Sequence, residues 1–339
     1  MTSTMEICSS ALRGVVIASP GKKLVVVDYA NIEGRLAAWL TNETWKLQAF
    51  RDFDEGRGED LYKIAYGKMF KVDPKNVTKA QRQIGKVEEL SRAYQGGVGA
   101  TVRMAAPLGI DLEALAESAI DTIPDETRDE ATDFLIWQRK EKKTQHGLSD
   151  RAFIVCDSFK RLWRAANPNI SKIWNRLEEA AINAIENPKK VFTVDRHRFI
   201  KSGSWLRISR PNGNCLCYPL VKLVDGKITY LGKNQFTQKW ERVGTYGGKI
   251  FENLCQAVAG DLLKHAMVCA DEYVDGTTSA DSSYPTVLTV HDELVAEVPD
   301  TSEYSVQGLG QILINNPPWA SGLPLAFDGF EAYRYGKPD

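Results

Sequence analysis

Lys22-Lys23-Leu24-Val25-Val26-Val27-Asp28-Tyr29-Ala30-Asn31-Ile32-Glu33-Gly34-Arg35 is the stretch on which the fold turns. It is entered through Pro20-Gly21, and its first half is β-branched and apolar, the mark of a buried strand. The run stops at Asp28. From Ile32 the apolar residues fall at helical spacing through Leu36, Ala37, Trp39 and Leu40. Asp28 therefore stands where a buried strand hands over to a helix, a costly place for a carboxylate that is neither paired nor bound to a cation.

A second aspartate occupies a comparable place far along the chain. Thr286–Val290 and Leu294–Val298 read as two short apolar strands flanking the acidic turn His291-Asp292-Glu293. Taken singly, the commoner reading of Asp28 or Asp292 is a turn residue capping a neighbouring amide. Taken together they allow a sharper one. If the two strands pair, both carboxylates reach one point and could hold two Mg²⁺ about 3.5–4 Å apart, as in-line phosphoryl displacement requires.

Between these two points the pattern is first helical and then alternating. Helical segments lie around Asp60–Phe70 and Thr78–Tyr94, the second opened by the capping box Thr78-Lys79-Ala80-Gln81. Leu108 to about Asn187 reads as mostly helical, and Ser171–Glu186 carries an Ile173, Trp174, Leu177, Ala181, Ile185 stripe closed by Asn187-Pro188. Val191–Tyr246 alternates, with turns at Pro211-Asn212-Gly213 and Asp225-Gly226, so hairpins are expected. Gly247–Glu272 reads as a further helix. On the Thr78 helix, Arg82 and Lys86 stand one turn apart, with Leu90 and Tyr94 continuing the face. That set would suit a nucleoside triphosphate: cations for the phosphates, Leu90 for sugar or base, Tyr94 for stacking. An exposed cationic face over a packed Leu and Tyr accounts for the same spacing.

Composition narrows the class. A chain of 339 residues suits two domains of roughly 100–200 residues. With 43% hydrophobic and 26% charged residues it is an ordinary globular composition, which excludes pervasive disorder. No apolar run approaches the ~20 residues of a membrane span. The first twenty residues lack a basic start and apolar core, so no secretory signal is expected. Six cysteines without a Cys-x-x-Cys pair point to a reducing compartment. Cys215 and Cys217 alternate along an expected strand and would make a poor metal site.

The net charge of −1 conceals segregation. Glu186–Lys249 has 13 Lys/Arg against 4 Asp/Glu, and Trp137–Arg164 has 8 against 3. Asp111–Asp133 has 1 against 9, and Asp271–Glu303 has 9 acids and no Lys or Arg. Because binding responds to local fields, the near-neutral total does not exclude a nucleic-acid partner.

The motifs also carry a family resemblance. Asp28-Tyr29-Ala30-Asn31-Ile32-Glu33-Gly34-Arg35 resembles the first signature of family A (DNA polymerase I-like) DNA polymerases, Asp-Tyr-Ser-Gln-Ile-Glu-Leu-Arg. Arg82, Lys86 and Tyr94 resemble that family's Arg-x3-Lys-x7-Tyr fingers helix, and His291-Asp292-Glu293 its third signature, in the same order. Asp60-Leu61-Tyr62, Phe236-Thr237-Gln238-Lys239-Trp240-Glu241-Arg242, Glu252-Asn253-x2-Gln256, Leu323-Pro324-Leu325, Gly329-Phe330-Glu331 and Tyr335-Gly336-Lys337 are most similar to the bacteriophage-type branch. The resemblance runs from about Ala11 to the C-terminus.

The resemblance implies an α+β right-hand polymerase. An antiparallel palm sheet would comprise residues 1–55 and 240–339, and a largely helical fingers subdomain residues 56–239. It implies template-directed addition of dNMP to a primer 3′-hydroxyl with release of pyrophosphate, using two Mg²⁺. Asp28 and Asp292 would ligate the ions, with the Tyr29 carbonyl as a further oxygen. Asn31, Glu33, Tyr62, Arg82, Lys86, Leu90 and Tyr94 would surround the dNTP. Within that set Glu33 would be the gate against a ribose 2′-hydroxyl, Lys86 a catalytic proton donor to pyrophosphate, and Tyr94 a check on the template side. Arg35, Asn253, Gln256, His291 and Glu293 would lie along the primer–template.

Departures are mild. Ala30 and Asn31 replace Ser and Gln, Tyr62 replaces a His of bacterial DNA polymerase I, and Leu90 stands where relatives often carry Phe or Tyr. Asp28 is reached after only 27 residues, so neither a thumb nor an exonuclease-like domain is expected upstream, and the core would act alone or with a separate chain that supplies them. The alternative is a catalytically weak or silent DNA-binding fragment that needs such a partner for activity. A single-subunit RNA polymerase fits less well because of Glu33, and a two-metal nuclease leaves the Arg82/Lys86 helix unexplained. The expected compartment is the cytoplasm, the host's if the chain is phage-encoded, with no membrane association.

Overall fold

The computed structural model describes residues 14–272 and 283–336. Ala11, Lys337 and part of the acidic run after Asp271 lie outside the described residues. In chain order the elements are β1 (Lys22–Tyr29), α1 (Ile32–Thr41), α2 (Thr44–Asp54), α3 (Leu61–Phe70), α4 (Lys79–Arg92), α5 (Val98–Ala105), α6 (Leu112–Ala119), α7 (Asp125–Lys140), α8 (Asp150–Ala166) and α9 (Pro168–Glu186). There follow β2 (Val191–Val194), β3 (His197–Ser202), β4 (Trp205–Ser209), β5 (Cys215–Tyr218), β6 (Lys222–Val224), β7 (Lys227–Lys233), β8 (Trp240–Thr245), α10 (Gly247–Glu272), β9 (Thr286–Val290), β10 (Glu293–Pro299), α11 (Val306–Leu313) and β11 (Phe327–Ala332). They form two compact units, Met1–Leu36 with Gln256–Asp339, and Ala37–Cys255. Among the described residues no helix is long and apolar enough to cross a membrane. The five described cysteines are free thiols.

The first unit is organised by an antiparallel sheet of order β11-β1-β10-β9. β1 is its centre, and Leu24 to Val27 are each at most 1% exposed. This explains the unbroken apolar run: a central strand covered on both faces has no polar side to alternate with. Leu24, Val26, Val295 and Tyr335 cluster on one face. The other face is covered by α11, where the buried Tyr29 hydroxyl donates to the Leu313 carbonyl at 2.8 Å. Residues 16–18 run against 333–335, with Ala18 N donating to Tyr333 O and Tyr335 N to Val16 O, both at 2.9 Å.

The second unit is helical, with two small antiparallel sheets, β2-β3-β4-β5 and β6-β7-β8. The stripe on α9 is core, as its spacing suggests: Ile173, Trp174, Leu177 and Ala181 are each at most 2% exposed. Trp174 stacks on Trp163 of α8 at 6.4 Å between ring centroids. Asp225 and Gly226 both take positive φ (50° and 74°), which is the two-residue turn expected from that pair.

Candidate active site

In the first unit the pairing of β1 with β10 sets Asp28 directly opposite Glu293, and β11 sets Asp328 opposite Asp28 on the other side. Opposed residues on antiparallel strands share a face. Three carboxylates therefore stand in one row across the sheet. Glu293 is buried and accepts a hydrogen bond from the Tyr335 hydroxyl. Asp292 follows one residue away, in the two-residue turn between β9 and β10 that His291 enters at φ 58°. Burial, with the charges of Cys269 and Asp292 adding to it, pushes the Tyr29 phenol well above its ordinary value, so it remains a neutral donor.

Asp292 and His291 line a cavity of about 390 Å³ together with Ile32, Glu33, Gln256, Ala259 and Gly260. Gln256 Nε2 donates to Glu33 Oε1, so the expected gate and one expected primer–template residue are hydrogen-bonded partners. Arg35 is placed differently from the primer–template expectation. It is 2% exposed, and its guanidinium donates to the carbonyls of Ala30 at 2.7 Å and Pro324 at 3.4 Å. It fixes the loop between β1 and α1, where Asn31 takes a left-handed φ of 52°.

In the second unit, α4 begins with the expected capping box: Gln81 N donates to Thr78 Oγ1 at 3.3 Å, and Thr78 N to Gln81 Oε1 at 2.9 Å. Asp60 ties α3 to this helix. One carboxylate oxygen caps α3, accepting from Tyr62 N and Lys63 N at 2.9 and 3.1 Å, and the other accepts from Arg82 Nε. The Arg82 guanidinium lies over the Tyr62 ring, 5.2 Å from its centroid. Tyr62 and Arg82 are both expected at the dNTP, whereas Asp60 carries no expected part there. The Asp-x-Tyr spacing ahead of a helix was the available signal. Lys86 is half-buried, and Leu90 is 39% exposed.

Tyr94 departs from the expected helical face. α4 ends at Arg92, so Tyr94 lies in the turn beyond it, with its ring 5.9 Å from that of Phe251. The start of α10 packs against that turn. Gly248 N donates to Gln95 Oε1 at 3.0 Å, and a β-carbon on Gly248 would come within 2.6 Å of the Tyr94 carbonyl. Asn253, expected along the primer–template, donates to the Tyr218 hydroxyl at 3.0 Å inside this unit.

The C-terminal half of α4 is held from below. Glu88 pairs with Arg92, and Glu89 accepts from Lys46 at 2.6 Å and from Trp163 Nε1 at 2.8 Å, all of them buried. The helix also sits close on α3, because a β-carbon on Gly85 would come within 2.1 Å of the Tyr62 carbonyl. Gly85→Ala is accordingly expected to cost about 1–3 kcal/mol in denaturant unfolding, the range for overpacking a fixed contact. An unchanged midpoint would show that α3 gives way freely.

The donor chemistry bears on a metal. Among the described residues no three His, Cys, Asp or Glu side chains form a closed metal cluster. Mg²⁺ does not need one, since it is commonly held by one or two carboxylates with waters and substrate phosphates completing its shell. Asp28, at the end of β1, and Asp292, in the turn that precedes its partner Glu293, are hard oxygen donors that fit that pattern.

No protein-family model matches the chain. It is 32% identical, over 339 residues and 98% of its length, to a DNA polymerase of Bacillus phage SP02. Over 112 residues it is 30% identical to a DNA polymerase I of Chloroflexus aurantiacus. The chain spans 44% and 11% of these relatives' own lengths. Its fold matches the POL domain of Pol1 from M. smegmatis, solved in complex with DNA primer-template and dNTP. The TM-score is 0.57 at 16% identity, covering 99% of this chain and 43% of that one. Near-complete alignment to part of a phage DNA polymerase, a shorter match to a DNA polymerase I and the fold of a polymerase domain are together consistent with a fragment of a family A, DNA polymerase I-like DNA polymerase.

Proposed function

We propose that the chain is a template-directed DNA polymerase that joins dNMP to a primer 3′-hydroxyl by two-metal nucleotidyl transfer, releasing pyrophosphate. The observation that carries this reading is the register of β1 on β10, which sets Asp28 opposite Glu293 and thereby beside the turn that bears Asp292. On this reading the first unit would be the body of the palm and the second would hold the fingers of 56–239, together with residues 37–55 and 240–255 that the expected palm of 1–55 and 240–339 includes. Asp28 and Asp292 would hold the ions, with the Tyr29 carbonyl as a further oxygen. When bound, two Mg²⁺ would supply Lewis-acid activation of the attacking hydroxyl and neutralise charge on the triphosphate.

The chain's own residues do the remainder. Arg82, oriented by Asp60, and Lys86 bind the triphosphate oxygens, and Lys86 returns a proton to the departing pyrophosphate. Tyr62, Asn31, Leu90 and Tyr94 shape the nucleotide's surroundings. His291 and Gln256, both exposed, meet the primer–template. Arg35, Asn253 and Glu293 act through the backbone and side chains that they position.

Glu33 excludes a 2′-hydroxyl by occupying its space. Because Gln256 holds the Glu33 carboxylate, Gln256→Ala is expected to lower discrimination against ribonucleotides by about tenfold, read as the ratio of kcat/KM for dNTP and rNTP. The reading itself is tested by Mg²⁺-dependent extension of a labelled primer on a template, with thermal melting in millimolar dNTP alongside. Extension together with a higher melting temperature supports it. Failure to incorporate any nucleotide, with no shift in melting, overturns it.

A further inference from the structure

We infer that the outer face of the β6-β7-β8 sheet, with the turn that joins β7 to β8, is a binding platform for single-stranded nucleic acid. The register sorts the side chains by face. Trp240 stands opposite Lys233, Arg242 opposite Leu231, Thr229 opposite Lys222 and Lys227 opposite Val224. These positions share one side of the pleat. That side carries Lys222, Lys227, Lys233 and Arg242 with Trp240, and no acid. The opposite side packs inward, with Ile228 fully buried and Tyr230 edge-on to Tyr218 at 4.9 Å. The two acids of the segment are spent elsewhere: Asp225 is in the β6–β7 turn, and Glu241 faces inward, accepting from Asn234 Nδ2 at 2.5 Å and Thr237 Oγ1 at 2.9 Å.

These bonds make the 234–239 turn a preformed mount. Asn234 Oδ1 accepts from Phe236 N at 2.8 Å and Thr237 N at 3.3 Å, and Asn234 N donates to Lys239 O at 2.8 Å. The mount presents Phe236 94% exposed and Trp240 67% exposed, with exposed Lys239 between them in sequence. Large aromatics held out in water by an ordered turn are stacking surfaces awaiting a partner. The cations on Trp240's face, with Lys239 in the turn, select what that partner is. Lysine is depleted from the cores of protein–protein interfaces, whereas aromatic rings among lysines and arginines are the composition of single-strand sites. A stacking ring also requires an unpaired base, which favours a single strand over duplex.

The test is fluorescence anisotropy of a labelled oligodeoxythymidine with the full chain, in buffer without dNTP or Mg²⁺. Phe236→Ala and Trp240→Ala are each expected to weaken binding by about tenfold, with Trp240→Phe close to wild type. Lys222→Ala with Lys233→Ala should reduce the slope of log affinity against log salt by about 1.4, at ~0.7 per phosphate contact. Both aromatics are exposed, so melting temperatures should match wild type. Wild-type affinity in the folded Phe236→Ala/Trp240→Ala double variant overturns the inference and leaves the face to a protein partner. Binding read in buffer without dNTP or Mg²⁺ separates this platform from the proposed chemistry.

Discussion

Asp28→Asn and Asp292→Asn are each expected to lower Mg²⁺-dependent primer extension at least about a hundredfold, with the chain still folded. Asparagine keeps the volume of aspartate and one acceptor oxygen but loses the charge that a hard cation requires. The expected stability change runs the other way at Asp28. It stands between Glu293 and Asp328 in one row, and directly opposed like charges destabilise a sheet by roughly 0.2–1 kcal/mol. Removing the central charge should leave the melting temperature equal to or above that of wild type. Loss of activity with loss of fold would assign Asp28 a structural part. Equal extension by wild type and both variants would remove the proposed chemistry.

Arg82→Ala is expected to lower kcat/KM for dNTP by about a hundredfold, comparable to removing one fixed charge donor from a transition state. Asp60→Asn should fall between this variant and wild type, at about tenfold and mostly in KM. Asparagine caps a helix about as well as aspartate, so α3 keeps its start, while Arg82 loses the charge that orients it. Unfolding midpoints within experimental error, with the two kinetic losses in that order, would establish Asp60 as a positioning residue. An Asp60→Asn enzyme indistinguishable from wild type would show that Arg82 finds its place unaided.

The elements bearing the motifs were legible in the sequence because their signals are local. The apolar run before Asp28, the Thr78/Gln81 capping box, the Asp225-Gly226 turn and the span of Gly247–Glu272 each depend on neighbours within one element. What escaped depends on partners far along the chain. α9 begins at Pro168, three residues before the Ser171 that opened its expected stripe, because Glu43 accepts from Asn169 N and Ile170 N and so caps the helix from a distance of more than a hundred residues. β11 is a strand only because β1 lies beside it, and Asp328 therefore joined the acidic row unannounced. Arg35 reads in sequence as an available cation, and only its burial against two carbonyls shows otherwise. Tyr94 fell off the helical face because α4 stops two residues earlier, where the chain turns toward Phe251.

The buried ion pairs beneath α4 bear on how any mutational scan of this chain would look. Breaking a buried pair by removing one partner typically costs 3–5 kcal/mol, enough to depopulate the folded state of a marginally stable domain. Glu88, Glu89 and Arg92 on α4, and Lys46 on α2, would therefore score as intolerant as Arg82 or Lys86, although they are assigned no part in the proposed reaction. Selection for activity alone would draw one continuous band of forbidden substitutions along α4 and merge two different causes. Paired replacement separates them: apolar residues of matched volume in place of Glu88 and Arg92 together should recover part of the abundance and activity, short of wild type because the Gly97 and Cys156 carbonyls lose their donor, whereas no second change within the chain should rescue Arg82→Ala.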